Sequence, residues 1–340
     1  MTIALAAILI ILAIGWGGAL IGLKYVLGVY LPLIAGLIFV CGFIWRVVKW
    51  AKSPVPFAIP TVGGQEKSLD WIKPARLDAP TSTAGVIGRM MLEVLTFRSL
   101  FRNTAAKRTT IDGTPRMTYY SSKWLWVFAL LFHYSMLVIV IRHARFFLDP
   151  VPVLISVVEF LDGLFQIGAP RFYLTDLCIL GGLGFLLLRR LCSERLRYIS
   201  LPTDYFAVFL LLCIAGSGIC MRYLEKVDIA AVKTVLMGLA TLKLPDAELV
   251  SQIGAIFFVH VTFVCALLIY FPFSKLMHMG GIFLMPTRNM KCNTREEMHV
   301  NPWNPPKNYH TYEEYEDDFR DAMIEAGIPV DKQPEPKPEA

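Results

Sequence analysis

The stretch that decides the fold is "HYSMLVIVIRHA", residues 133–144. It lies in an apolar run that begins near Trp124, and two histidines stand in it ten residues apart. Placing an imidazole in hydrocarbon is expensive, so a titratable group at that depth in a membrane helix points to function. One such histidine is commonly just a packed residue. The question is whether these two belong to a larger pattern.

Composition places that run in a membrane. The chain has 340 residues, 55% of them hydrophobic, with a mean hydropathy of +0.53. These values lie well above those of soluble domains. Six segments are long enough to cross a hydrocarbon layer of about 30 Å, which takes roughly 20 apolar residues: about 3–23, 29–48, 123–147, 172–191, 204–223 and 253–279. The expected fold is therefore an all-α integral membrane protein with six transmembrane helices. The N-terminus starts apolar, without a basic region or cleavage site, and reads as a retained helix rather than a signal peptide.

Charge gives the orientation. The net charge is +6, and only 18% of residues are charged. Segment 51–121 holds ten Lys and Arg against five acids, and Arg189, Arg190, Arg195 and Arg197 cluster near a second turn. Stretch 148–171 holds only Arg171, and 224–252 has three Lys against four acids. The positive-inside rule then puts 51–121, the 189–202 turn and both termini in the cytoplasm, in a multi-pass protein of the cell membrane. Such clustering is a topology signal, and no nucleic-acid partner is expected.

The chain divides into two N-terminal helices (1–50), a basic cytoplasmic segment (51–121), a four-helix unit (122–279) and a polar, then acidic tail (280–340). Within 51–121, residues 85–101 read as an amphipathic helix. Residues 151–166 and 228–243 read as short helices at the outer interface. In the tail, 313–325 reads as a helix and "DKQPEPKPEA" as disordered. The seven cysteines form no CxxC or CxxCH, which leaves no site for covalent haem attachment. Six of them read as small core residues. Cys292, in the tail, is the one that stays open as reactive.

The histidines are sorted. His299 and His310 lie in the tail, His133 and His143 on the third expected helix, and His260 and His278 on the sixth. The third helix runs outward and the sixth inward, so depth pairs His143 with His260 on the outer side and His133 with His278 on the inner side. One difficulty stands. At 1.5 Å per residue the pairs are separated by about 15 Å on one helix and about 27 Å on the other. Tilt, and a kink at Pro272, are the available remedies. Two facing imidazoles can supply two axial nitrogens to a haem iron, whereas zinc takes three or four ligands at one point. Two b-type haems, one per level, are the better reading, and they make an electron wire across the bilayer. A lipid-soluble quinone is the natural outer reactant. Arg142 and Arg145 are candidate partners of haem propionates, or snorkelling interface residues.

Histidines ten apart on one helix and eighteen apart on a later one resemble those of the gamma subunit (NarI) family of respiratory nitrate reductase. These are di-haem b quinol dehydrogenases, and the likeness covers about 120–280. The two extra N-terminal helices, the long basic segment and the tail "FLMPTRNMKCNTREEMHVNPWNPP" resemble the DsrM-type cytochromes b of DsrMKJOP complexes. The resemblance implies haem ligation by His143 and His260 outside and by His133 and His278 inside. It also implies menaquinone beside the outer haem, a DsrK-like cytoplasmic iron–sulfur partner with the other complex subunits, and a place in dissimilatory sulfur or sulfate metabolism. The chain would carry only the quinone half-reaction. With no lysine in 146–225, the candidates for quinone contact are Arg142, Arg145, Asp149, Glu159 and Asp176. Other readings are the di-haem anchor of a nitrate reductase or hydrogenase, a histidine-dependent transporter, and a passive membrane anchor.

Overall fold

Residues 1–53, 64–163, 172–293 and 309–332 are described in the computed structural model. Among them, five helices are long and apolar enough to cross a membrane: Thr2–Leu20, Val26–Ala51, Lys123–Phe146, Pro202–Tyr223 and Ala255–Phe273. Hydrocarbon offers no partner for a backbone N–H or C=O, so an apolar run of this length closes its own hydrogen bonds as helix.

The first span is α1 (Thr2–Leu20). Gly22 then takes φ +89, a left-handed value that glycine adopts freely. The chain re-enters helix through one π turn, Val26–Tyr30, and continues as α2 (Leu31–Ala51). Next come α3 (Thr83–Thr96), started by Ser82 Oγ accepting from the Gly85 N–H, and α4 (Arg98–Phe101). The amphipathic stretch expected over 85–101 is thus two helices, broken at Phe97. A hairpin follows that the sequence reading did not anticipate: β1 (Thr104–Ile111) pairs antiparallel with β2 (Thr114–Ser121). Asp112 and Gly113 turn it with φ of 52° and 76°, the positive pair that a two-residue hairpin turn requires.

Among the described residues, seven further helices lead to the last span, six of them before a short seventh. The six are α5 (Lys123–His143), α6 (Val153–Asp162), α7 (Leu174–Cys192), α8 (Glu194–Ile199), α9 (Pro202–Tyr223) and α10 (Ile229–Ala240). The short helices expected near 151–166 and 228–243 correspond to α6 and α10, with 164–166 outside the described residues. The expected fourth crossing, α7, is as long as α1 but carries Asp176, Arg189 and Arg190 at its ends. These charges separate it from the five more apolar spans, although it packs between α5 and α9.

After α11 (Ala247–Gln252), the last span departs from expectation. An unbroken helix over 253–279 is not formed. Helix α12 (Ala255–Tyr270) gives way to a 3-10 turn at Phe271–Phe273, and Ser274 is extended, with ψ of 177°. A second 3-10 turn, Lys275–Met277, leads into α13 (His278–Leu284). The physical reason is Pro272, which has no N–H to donate and whose ring clashes with the preceding turn. The chain continues through α14 (Pro286–Asn289) and, further on, α15 (Tyr312–Glu325), which opens with a Thr311–Glu314 capping box. His299 and the end of the tail, 333–340, lie outside the described residues.

Helix α5 packs on α7, α7 on α9 and α9 on α12, while α1 and α2 pack on α12. Helices α5 and α12, the two spans that carry histidine, are not closely packed against each other. The α5–α7 contact is tight: a Cβ on Gly182 would lie 3.0 Å from Phe132 Cβ and 3.1 Å from its backbone. Small residues allow such approach between membrane helices. Gly182→Val is expected to lower stability in detergent unfolding by about 1–3 kcal/mol through overpacking. Gly181→Ala, with nothing within 4 Å of the new methyl, is expected to leave it unchanged.

Candidate functional site

Four imidazoles meet in two pairs. His133 and His143 stand on α5, His260 on α12, and His278 opens α13. The His143 and His260 ring centroids are 6.5 Å apart, with planes 17° from parallel. Those of His133 and His278 are 6.1 Å apart, with planes at 79°. These are the pairs that depth alone selects. The break after Tyr270 removes the mismatch in rise, because His278 does not sit on the helical ladder of His260.

The hydrogen bonds fix the tautomers. His133 Nδ1 lies 2.7 Å from Ala129 O, His143 Nδ1 2.7 Å from Ile139 O, and His278 Nδ1 2.9 Å from Lys275 O. A carbonyl can only accept, so each Nδ1 carries the proton and donates it. His260 Nδ1 is 2.9 Å from Ser217 Oγ, whose own proton goes to Cys213 O at 2.7 Å. His260 therefore donates as well. In all four rings Nε2 is left with its lone pair, the state a metal ligand needs.

The spacing fits a metal between the rings. An imidazole nitrogen sits ~2 Å from a bound metal and its ring centre ~1.2 Å further back, which puts two coaxial ligands roughly 6.4 Å apart. In each pair one ring is half-buried and the other exposed, so neither pair is enclosed by side chains. A Cβ on Gly218 would lie 3.4 Å from His260 Cε1, so a larger residue there would crowd that ring. Among the described residues no three His, Cys, Asp or Glu converge on one point. The donor set is two nitrogens per level, which suits an axial haem pair.

Beside His143 lies a dense polar cluster. Arg142 pairs with Asp162, itself bonded to Thr175 N at 2.9 Å and Thr175 Oγ1 at 2.7 Å. Arg145 binds both oxygens of Glu159 at 2.7 Å. Between them, Tyr173 is clasped by two guanidiniums, with Arg142 3.3 Å and Arg222 3.7 Å from its ring centre. Its hydroxyl donates to Glu159 at 2.8 Å. Asp176 accepts from Tyr223 Oη at 2.6 Å. Burial pushes Glu159 up, but the Tyr173 hydrogen bond and the charges of Arg145 and Arg142 outweigh it and hold the carboxyl below its ordinary value.

Comparison with known proteins places the arrangement. Residues 85–292 match the family model described as nitrate reductase gamma subunit. The chain belongs to the nitrate reductase gamma subunit family. This is a family of helical integral membrane cytochromes b. Two relatives carry the description "Hdr-like menaquinol oxidoreductase cytochrome b-like subunit". The one from Archaeoglobus fulgidus is 47% identical over 284 residues, 82% of this chain and 84% of its own length. The one from Archaeoglobus profundus is 41% identical over 279 residues, 81% and 82% respectively.

Within this gamma-type bundle, the structure sorts the remaining candidates. Arg142, Arg145, Glu159 and Asp176 all fall in the cluster beside His143. The two arginines are engaged by Asp162 and Glu159 rather than standing unpaired. Asp149 is not brought in: it is exposed and pairs with Lys233 at 3.5 Å. Cys292, kept open as reactive, is buried behind Arg89. Sequence reasoning missed Ser217, Tyr173, Arg222 and Phe97, whose ring lies 4.9 Å from His133. Ser217 had a signal, a hydroxyl in the small-residue run "AGSG". The others gain meaning only from what they face.

The cluster has a pH signature. Glu159 is depressed, so its contribution is present above its unfolded value of about 4.5 and is lost as the pH falls through its lower folded value. Glu159→Gln is expected to melt on the order of 1–3 °C below the parent at pH 7, the modest loss of a half-exposed ion pair. The two melting curves should converge as the pH is taken below 4.5.

Proposed function

We propose that this chain is the di-haem b electron-transfer subunit of a menaquinol-linked oxidoreductase. It draws electrons from menaquinol at the outer face and delivers them to a cytoplasmic iron–sulfur subunit of the DsrK, heterodisulfide reductase-like type. The observation that carries this reading is the pair of imidazole pairs, one at each level, with every Nδ1 satisfied and every Nε2 left as a donor. The description of the two relatives as menaquinol oxidoreductase subunits of Hdr type supports the donor and the partner class, and favours them over a nitrate reductase or hydrogenase assembly. The wider setting is dissimilatory sulfur or sulfate metabolism, within a DsrMKJOP-like complex. The chain crosses the cell membrane six times, α7 included, with both termini in the cytoplasm.

His143 and His260 hold the outer haem and His133 and His278 the inner one. Bound there, haem supplies one-electron redox steps at two depths, which no side chain of the bundle supplies. The protein's own work is orientation. The Nδ1–H donations fix each ring and raise the basicity of Nε2. At the outer face, quinol oxidation to quinone releases two electrons and two protons. Asp176, hydrogen-bonded to Tyr223, is the carboxylate placed to accept a proton beside His143. Glu159 and Tyr173 form a second relay, and Arg145 and Arg142 balance the charge of the carboxylates. Asp149 takes no part. The chain performs the quinone half-reaction only, and the second half belongs to the partner.

The test is a pyridine haemochrome assay on purified protein. Two haems b per chain are expected. His143→Ala and His260→Ala should each remove the same half of the haem, and His133→Ala and His278→Ala the other half. Retention of both haems in all four variants overturns the assignment. Ser217→Ala removes the hydroxyl that accepts from His260 Nδ1–H and is expected to weaken retention of the outer haem by about 10–100-fold, as for other partners of a metal ligand. It should not affect the inner one.

A further inference from the structure

Phe97 occupies an unusual place. It ends α3 with φ 49° and ψ 46°, a left-handed conformation that crowds any residue bearing a Cβ. Such a conformation persists where the surroundings over-determine it. Three hydrogen bonds do so here. The Phe97 N–H donates to Leu92 O, Trp126 Nε1 donates to Thr96 O at 2.7 Å, and Tyr134 Oη donates to Leu95 O at 2.7 Å. Trp126 and Tyr134 are α5 residues on either side of His133 in sequence. The Phe97 ring meets the His133 ring edge-on, centroids 4.9 Å apart and planes at 88°. Phe132 meets the same imidazole at 4.9 Å and 74°. The His133 ring, held at Nδ1 by Ala129 O, is thus also flanked edge-on by two aromatic neighbours, one of them delivered by α3.

The middle of α3 fastens the chain that follows the other inner histidine. Arg89 is 1% exposed, yet it is a charged residue on an otherwise amphipathic helix. Its guanidinium donates to Asp78 O at 3.3 Å, Met290 O at 3.3 Å and Arg288 O. One turn on, buried Glu93 pairs with the Arg288 side chain at 3.1 Å and accepts from Ser99 N at 3.2 Å. The Cys292 N–H donates to Pro80 O at 2.7 Å. Residues 288–292 follow His278 by ten to fourteen positions, through α13 and α14. A single helix from the basic segment therefore touches His133 at its end and fastens the chain beyond His278 at its middle.

We infer that α3 is a strut for the inner pair, with Phe97 a positioning residue for the His133 ring plane and Arg89 and Glu93 holding the His278 arm in register with it. This rests on the reading of His133 and His278 as one haem site. A low-spin haem's electron paramagnetic resonance responds to the angle between its two imidazole planes, and its potential responds to ligand setting and burial. The strut therefore predicts an effect on one haem and not the other. Because α3 belongs to the basic segment, a protein that binds there and moves it would alter the inner haem first.

The experiment uses the full-length chain, purified with its haems, comparing Phe97→Ala, Phe97→Tyr and Glu93→Gln with the parent. Haem content, resonance spectrum and a two-wave redox titration are read together. Phe97→Ala should keep both haems, move the low-field signal and the midpoint of the haem that His133→Ala removes, and leave the haem that His143→Ala removes unmoved. Phe97→Tyr should restore the parent spectrum. Glu93→Gln should shift the same haem. Two haems whose signals ignore Phe97→Ala, or shift equally, overturn the strut alone. A parent chain without haem overturns the functional reading and the strut with it. Arg89→Met is a further variant, and Glu93→Gln carries the test of the arm if Arg89→Met does not accumulate.

Discussion

An imidazole held in hydrocarbon must give its proton to something nearby, and here each one does so within its own turn or to the next helix. His133, His143 and His278 donate to carbonyls three or four residues back, and His260 to Ser217. That constraint decides the rest. Once Nδ1 is committed, the remaining nitrogen can only accept. The paired rings stand 6.1 and 6.5 Å apart, a spacing that fits two ligands on one metal. The four-helix ring, with α5 and α12 left apart, is the scaffold that this chemistry calls for.

Much of this was legible in the sequence because the membrane simplifies it. Apolar runs of about twenty residues become helices by necessity, and four histidines on two of them are a conspicuous exception to the pattern. Depth, read from Lys and Arg, then selects which rings meet. The apparent mismatch in rise came from treating 253–279 as one helix. Pro272 marked the weakness, but the extended Ser274 and the fresh start at His278 follow from how the broken end packs, which spacing does not encode.

What stayed hidden is instructive. The 104–121 hairpin had a local signal, Asp112–Gly113 between β-branched residues, overshadowed by the charge count of the basic segment. Arg89 gave no signal, because two of its three carbonyl acceptors lie about 200 residues away. Tyr173 gave none either, because the two guanidiniums that clasp it come from α5 and α9. Such residues owe their roles to tertiary neighbours, and a single sequence carries no trace of the pairing.

The two N-terminal helices give the bundle unequal walls. They lie against α12, where 39% of the span is buried, whereas only 11% of the Lys123–Phe146 span is. The back of His260's helix is thus lagged with protein, while α5 turns Leu137 and Val140 toward whatever surrounds it. The α5 wall is the one that the chain itself leaves least covered. The molecule is sheathed along one edge and left bare along the other.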